Sequence, residues 1–133
     1  MTEPVVKAEE TITIEMFDGT EKEFFMSYGL LSELTKLTPN LDVTSELYSD
    51  PELRGKFLSA IVSERTRTGK VLNKIDVLDF EAHNDELERL LAWGQANVTA
   101  FFIRNLQRFA EQMQALNPES PSTSTDTENG STV

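Results

Sequence analysis

The segment Leu91 to Asn105 reads LAWGQANVTAFFIRN and holds a Trp, two adjacent Phe and an Ile within one short stretch. Gln95, Asn97 and Thr99 interrupt its apolar run, which falls far short of the about 20 apolar residues that a membrane span needs. We therefore expect the segment to lie in a long helix of a soluble protein. Its composition raises the question of what so much apolar surface covers.

One face of this helix carries an apolar stripe of the ordinary amphipathic kind. At about 100° per residue, its members lie within about 40° of Phe102. They are Leu91, Val98, Leu106, Phe109, Met113 and Leu116. Such a stripe predicts packing against the protein's own core. The helix is expected to have Asn84 or Asp85 as its cap and to end near Leu116, because an Asn-Pro pair follows.

The opposite face of the helix departs from this simple pattern. Trp93 lies there with Ala96, Ala100 and Ile103, while the polar Gln95 lies inside the apolar stripe. Two arrangements account for this. Either a glycine next to Trp93 kinks or breaks the helix so that the indole turns inward, or the helix is apolar on two sides and its second side meets a partner.

That glycine is Gly94. A glycine in a helix interior costs about 0.5 to 1 kcal/mol relative to alanine, so its position beside Gln95 favours a break. In both arrangements the second apolar patch is small and bordered by polar and basic side chains, a composition that favours contact with a protein. We therefore nominate six partner-binding residues. They are Trp93, Ala96, Ala100, Phe101, Ile103 and Arg104.

The N-terminal part of the chain predicts a β-hairpin. Thr11 to Met16 alternates in polarity, Asp18-Gly19 follows, and a second run places Phe24 and Met26 on one face. An Asp-Gly pair between two alternating runs is a strong hairpin signal. Because two strands alone are marginal in water, a helix must cover their apolar face or another chain must meet their edge.

Two shorter helices are predicted between the hairpin and the long helix. The first covers Leu30 to Leu37 and ends at a Thr-Pro-Asn sequence, because proline disfavours helical geometry in the residue before it. The second begins after Asp50, a capping residue, with Pro51 in the first helical position, and runs to about Arg65. The segment 65–74 is predicted to be a linker.

Composition limits the classes of function. The chain has 133 residues, of which 23 are acidic and 12 basic, and a formal net charge of −11. This argues against nucleic acid as a partner, because phosphate binding needs a concentrated basic surface. The sequence contains no Cys, which excludes disulfides, thiolate metal sites and a Cys nucleophile. No basic region followed by an apolar run opens it, so we expect an intracellular protein.

Candidate catalytic or metal-binding groups are sparse. The one His, His83, lies in an acidic stretch, and Asp79 is the one further ligand that a shared helical face offers. Two ligands make a poor metal site. Carboxylate pairs such as Glu81 with Asp85, or Asp85 with Glu88, are more typical of a solvated face than of acid-base catalysis. We predict no metal, no cofactor and no enzymatic activity.

One basic group lies in the middle of the chain. Its members are Arg54, Lys56, Arg65, Arg67, Lys70 and Lys74. Their simplest role is to neutralise the acidic block 76–88 that follows, and the alternative is a docking surface for an acidic protein.

Together these patterns predict an α+β fold that is mainly α-helical, with an N-terminal β-hairpin packed on a small helical domain. Residues 1–10 are predicted to form a flexible arm and 11–116 a single domain. Residues 117–133 are predicted to be a disordered tail rich in Ser and Thr, because their composition offers too little apolar surface to offset the chain entropy.

Three stretches resemble the tail assembly chaperones of long-tailed bacterial viruses with non-contractile tails. They are the hairpin TITIEMFDGTEKEFFM, the helix start DPELRGKFLSAIV, and the last helix with LLAW followed by VTAFFIRN. The resemblance covers residues 11 to 116 and consists of element order, element size and scattered apolar positions. It implies a small, non-catalytic protein that coats the helical tape-measure protein and keeps it soluble until tube subunits polymerise around it.

The resemblance also implies where such a protein acts and what it meets. It acts in the host cell cytoplasm and is absent from the mature virion. Its partners are the tape-measure protein, the tail tube protein and further copies of itself along the client, with no nucleic acid and no membrane. A longer, frameshifted product commonly accompanies the short one in this family. No site residue is carried over, so the six nominated residues come from helix geometry alone.

Two other classes of function share some of these features. A small structural virion component, such as a head-tail joining protein, also needs partners and no catalysis, but it is found in purified particles. An acidic mimic of DNA spreads its carboxylates over one surface at phosphate-like spacing. Here the carboxylates concentrate at the two ends of the sequence and in one block, which argues against the mimic.

Overall fold

The computed structural model describes residues 8–40 and 45–116, and the predicted disordered tail and most of the predicted arm lie outside this part. The described chain is 59% helical and carries two small antiparallel sheets. The predicted α+β, mainly helical class is therefore confirmed. Described residues up to Phe102 form one compact unit and those from Ile103 onward form another. The single domain over 11–116 stays a prediction.

The predicted hairpin is confirmed. Strands β1, Thr11–Glu15, and β2, Glu21–Phe25, pair antiparallel. The alternation of polarity selects the face that is covered, since Ile14, Phe24 and Met26 are buried in the core. The outward side chains of both strands are exposed to solvent.

The outer edge of the first strand is covered by the segment that leads into the last helix. The backbone N–H of Phe17 donates to the carbonyl of Glu81 at 2.9 Å. The N–H of Glu15 donates to the carboxylate of Glu86 at 3.1 Å. These bonds satisfy backbone donors that an edge strand otherwise leaves open.

Helix α1, Tyr28–Leu37, begins two residues earlier than predicted because Ser27 caps it. The Ser27 hydroxyl accepts from the N–H of Leu30 at 3.2 Å. At the other end the hydroxyl of Thr38 donates to the carbonyl of Leu34 at 2.8 Å. Leu30 and Leu34 are buried, so this helix covers part of the core.

Helix α2, Pro51–Val62, begins where the sequence predicts it. The carboxylate of Asp50 accepts from the N–H groups of Glu52 and Leu53 at 3.1 and 3.2 Å. These bonds satisfy two of the donors that a helix start leaves free. The helix ends three residues before the predicted Arg65, because the chain there turns into a strand.

The predicted linker 65–74 is wrong, because a second small hairpin occupies this part of the chain. Strand β3, Glu64–Arg65, pairs with β4, Val71–Asn73, and Gly69 in the turn has a φ of +106°. The turn lies directly against the start of α1. A Cβ on Gly29 would lie 2.5 Å from the carbonyl oxygen of Gly69, so the backbones are in contact and neither position has room for a side chain.

Helix α3, Asn84–Leu116, is one continuous helix of 33 residues, so the favoured break at Gly94 is wrong. The glycine has a packing reason instead. A Cβ there would lie 2.7 Å from the ring of Phe57 and 2.8 Å from the side chain of Ile61. The helix starts after His83, whose carbonyl accepts from the first turn, so neither predicted residue is the cap.

The hairpin turn generates a prediction about titration. Thr20 donates to the Asp18 carboxylate from its hydroxyl at 2.7 Å and from its N–H at 3.0 Å. These bonds, the side-chain one foremost, hold the pKa of Asp18 below its ordinary 3.8. Because the folded pKa is the lower one, the ionised form stabilises the hairpin above the unfolded pKa, and this stabilisation is lost as the pH falls through the folded pKa. An NMR titration should give Asp18 a lower midpoint in the wild type than in Thr20→Val, and equal midpoints would contradict the contact.

Two helix-interior glycines should respond in opposite ways to alanine. Gly94→Ala should lower the free energy of unfolding by about 1 to 3 kcal/mol, because the methyl group overlaps the ring of Phe57. Gly55→Ala in α2 is the matched control, since a Cβ there meets nothing within 4 Å. It should raise stability by about 0.4 to 1 kcal/mol through helix propensity and chain entropy. Urea unfolding followed by circular dichroism measures both, and a neutral Gly94→Ala would disprove the close packing.

Candidate partner-binding surface on the last helix

Two of the six nominated residues lie inside the protein. Trp93 is 7% exposed and Ala100 is 2% exposed, which corrects the expectation that they belong to an open contact face. Nε1 of Trp93 donates to the carbonyl of Glu9 at 2.8 Å, and Nδ2 of Asn97 donates to the same oxygen at 2.9 Å. This side of α3 therefore holds the chain before β1, including a residue that was predicted to belong to the arm.

The other four nominated residues are more accessible. Ala96 is exposed, and Phe101, Ile103 and Arg104 are half-buried. The ring of Phe101 contacts that of Phe102, with 5.8 Å between centroids. Partner binding by these four residues stays a prediction.

The error in the nominated surface comes from the choice of helix face. Up to Ala100, the buried side chains of α3 form one face, and the centre of this face lies about 100° around the helix axis from Phe102. They are Leu90, Leu91, Trp93, Gly94, Asn97, Val98 and Ala100. From its polar side chain alone, Asn97 would be expected on the surface. It is buried instead, and its amide also donates to the carbonyl of Trp93 at 3.0 Å. The signal in the sequence that could have identified the buried face was Gly94. It lies where α3 approaches α2 most closely.

The second half of the predicted core stripe is exposed. Leu106, Phe109, Met113 and Leu116 are 61%, 61%, 44% and 74% exposed. The prediction that these four residues pack in the core is therefore wrong, although earlier members such as Val98 are buried as expected. We call Leu106, Phe109, Met113 and Leu116 the terminal stripe.

The spacing of the terminal stripe is that of a coiled-coil seam. Its members follow one another at intervals of three, four and three residues, which is the a and d pattern over about two heptads. The flanking positions 105 and 112 are an Asn and a Gln. A seam of this kind packs its side chains into the spaces between side chains of another helix or groove.

Charge around the terminal stripe differs from charge in the rest of the chain. Residues 103–116 contain two basic residues, Arg104 and Arg108, and one acidic residue, Glu111, which gives them a net charge of +1. The whole chain carries −11, so the remainder carries −12. The exposed apolar surface therefore lies on a part of α3 whose net charge is positive and attracts an acidic partner.

Three members of the predicted basic group act within the fold. Nη2 of Arg65 lies 2.6 Å from the carboxylate of Glu33. Nη1 of Arg54 donates to backbone carbonyls at 3.1 and 3.4 Å. Nζ of Lys56 lies 3.6 Å from Glu52. All three thus have partners outside the block 76–88, which they were predicted to neutralise.

The sparse chemical groups do not converge. His83 is exposed, and its ring meets that of Phe17 edge-on with 4.6 Å between centroids. Asp79 ends the short 3₁₀ helix Val77–Asp79 and shares no helical face with His83. Within residues 8–40 and 45–116 no three His, Asp or Glu side chains are placed to hold a metal ion. That the chain has no metal and is not an enzyme stays a prediction.

In the described part of the chain no helix has the length and apolar character to cross a membrane. No protein-family model, curated protein or solved structure matches the chain.

A matched pair of substitutions tests which side of α3 is covered. Ala100→Glu should lower the free energy of unfolding by more than about 3 kcal/mol, because it places a carboxylate without a partner in the core. Ala96→Glu, one turn earlier and exposed, should change it by about 0.5 kcal/mol or less. Thermal and urea melts measure both. Equal, small effects would show that Ala100 lies on an open face after all.

Proposed function

We propose that the protein is a tail assembly chaperone of long-tailed, non-contractile bacterial viruses. It binds the tape-measure protein in the host cytoplasm and keeps it soluble while the tail tube assembles. The terminal stripe is the observation that carries this proposal, because it leaves four large apolar side chains exposed at helical spacing. The sequence resemblance supports the family, and the stripe supports the way in which a client is bound.

The terminal stripe suits a helical client. An amphipathic helix can lay its apolar face along a seam of a and d residues. A seam of about two heptads is shorter than the about three to four heptads that indicate a coiled coil, so we expect it to bind one client site weakly. A long helical client offers many such sites, and many weak contacts along one chain give a stable coat.

Acidity supports the solubilising role. Each bound copy covers apolar client surface and brings a net charge of −11, so coated clients repel one another. Residues 103–116 carry a net charge of +1, so the segment that contacts the client adds no negative charge to the contact. A chaperone of this design acts by covering surface and needs no catalytic group.

Substitutions in the terminal stripe should reduce client capture without affecting the fold. The double variant Phe109→Gln/Met113→Gln replaces two exposed side chains, so the free energy of unfolding should change by about 0.5 kcal/mol or less. In co-expression with a tape-measure protein, it should leave much less client in the soluble fraction than the wild type does. Ala115→Gln, which is exposed on another side of the same helix segment, is the matched control and should retain full capture.

Three outcomes would contradict this proposal. If the double variant melts normally and keeps as much client soluble as the wild type, the stripe does not bind the client. If the wild type itself raises no soluble client above an empty vector, the chaperone function is wrong. Detection of the protein in purified mature particles by mass spectrometry would instead favour a structural virion component.

A further inference from the structure

We propose that the open edge of strand β2 binds an extended segment of a partner chain by strand addition, and that basic and apolar residues alternate along this segment. The edge forms one wall of a groove with a volume of about 700 Å³, and the segment 63–67, which includes β3, forms the other. The buried apolar side chains that line it are Phe24, Leu30, Ile61 and Val62. We call it the β2 groove. It shares no residue with the terminal stripe, so the inference goes beyond the proposed chaperone function and does not depend on it.

The two outer edges of the first hairpin differ. Glu81 and Glu86 bond to the edge of β1, whereas β2 pairs with β1 alone. On the outer edge of β2 the carbonyl of Phe25 accepts from the N–H of Ser27 at 2.9 Å, and within residues 8–40 and 45–116 no other hydrogen bond reaches this edge. An open strand edge is a template for pairing with another strand.

The register of the hairpin identifies the backbone groups that point into the β2 groove. The N–H of Met26 donates to the residue that precedes β1 at 2.8 Å, and bonded and non-bonded pairs alternate along an antiparallel ladder. Lys22 and Phe24 are therefore bonded to β1, whereas the N–H groups of Glu23 and Phe25 point away from it. Alternate outward donors of this kind match the backbone of an added strand.

The lining of the groove determines half of the partner's side chains. Successive side chains of an added strand point to opposite faces, so every second one packs beside Phe24 against Ile61 and Val62. Apolar side chains at these positions remove apolar surface from water on both chains. The intervening side chains lie on the outer face of the hairpin, beside Glu23 and Phe25, of which Phe25 is 47% exposed.

The outer face of the hairpin selects basic residues for the intervening positions. Glu21 and Glu23 are exposed on this face, and Glu21 lies directly opposite Glu15 on β1. Like charges in directly opposite positions are destabilising, and in the described part of the chain none of these three carboxylates has an ion-pair partner. A Lys or Arg on an added strand supplies one.

The other charges around the groove leave this acidity unbalanced. On the far wall Arg65 is paired with Glu33 at 2.6 Å, and the charges of Glu64 and Arg67 cancel. Lys22 is half-buried on the inner face of β2, because successive side chains of a strand alternate between faces. A basic segment is therefore favoured over a second copy of this chain, whose net charge is −11.

Amide hydrogen exchange of the full chain, followed by NMR, tests strand addition. The probe is a short synthetic peptide in which Lys and Val alternate. At saturating peptide the N–H groups of Glu23 and Phe25 should exchange more slowly by about tenfold or more, because they gain hydrogen bonds. The N–H groups of Lys22 and Phe24, which are bonded to β1 with or without the peptide, are internal controls and should slow far less.

Variants of Glu23 separate the backbone contact from the charge contact. Glu23→Pro removes the outward N–H and no bond to β1, so it should weaken peptide binding by about tenfold or more, which calorimetry measures. Glu23→Gln keeps the N–H and should weaken binding by about two- to fivefold. Glu88→Gln, which changes an exposed carboxylate on α3, is the matched control and should bind as the wild type does.

A melt shows whether each variant is folded. A peptide with N-methyl groups on alternate amides tests the same contact without a change to the protein, and it should not bind the wild type. A wild type that binds no peptide, or that binds a Glu-Val peptide as tightly as the Lys-Val one, would overturn the inference. So would peptide binding that leaves the exchange of Glu23 and Phe25 unchanged, or a folded Glu23→Pro variant that binds normally.

Exchange in the free protein identifies any other occupant of the edge. Slow exchange of Glu23 and Phe25 without peptide would overturn the inference, because the edge would already be covered. The occupant would be a segment of the same chain if the protection is independent of protein concentration, and a second copy if the protection increases with it.

Discussion

The close contact of α2 and α3 at Gly94 is the constraint on which the rest of the fold depends. Phe57 and Ile61, which lie beneath it, are fully buried, and a Cβ at position 94 would overlap both of their side chains. Only a residue without a side chain can face α2 at this point, so the contact fixes the rotation of α3 about its own axis. The dispersion energy of two well-packed helices offsets the cost of a glycine in a helix interior.

The rotation of α3 has a consequence for the start of the described chain. With Gly94 against α2, Trp93 and Asn97 lie beside it and both donate to the carbonyl of Glu9, which anchors the start of the hairpin. One glycine therefore decides which side chains of α3 up to Phe102 serve the fold.

Features that depend on a few adjacent residues were predictable from the sequence. Which face of the long helix is buried was not. Asp18-Gly19 determines the hairpin, and Asp50 with Pro51 determines the start of α2, because turns and caps depend on a few adjacent residues. The second hairpin has strands too short for an alternating pattern. Gly94 is ambiguous in a sequence because a break and a close contact both explain a glycine in a helix. Periodicity shows that a helix is amphipathic, but it does not show whether the apolar face meets the same chain or another one.

The separation of buried and exposed apolar side chains within one helix also affects how the protein can change. Side chains up to Ala100 are constrained by the fold, since Leu90, Val98 and Ala100 are almost fully buried and substitutions there alter stability. The terminal stripe contributes little to that core, so its residues can be replaced at small cost to folding. A partner-binding surface in this position is free to follow changes in its partner while the domain stays folded. Because the stripe adds exposed apolar area without adding stability, it favours association, and the strong negative charge of the remaining chain opposes association through mutual repulsion.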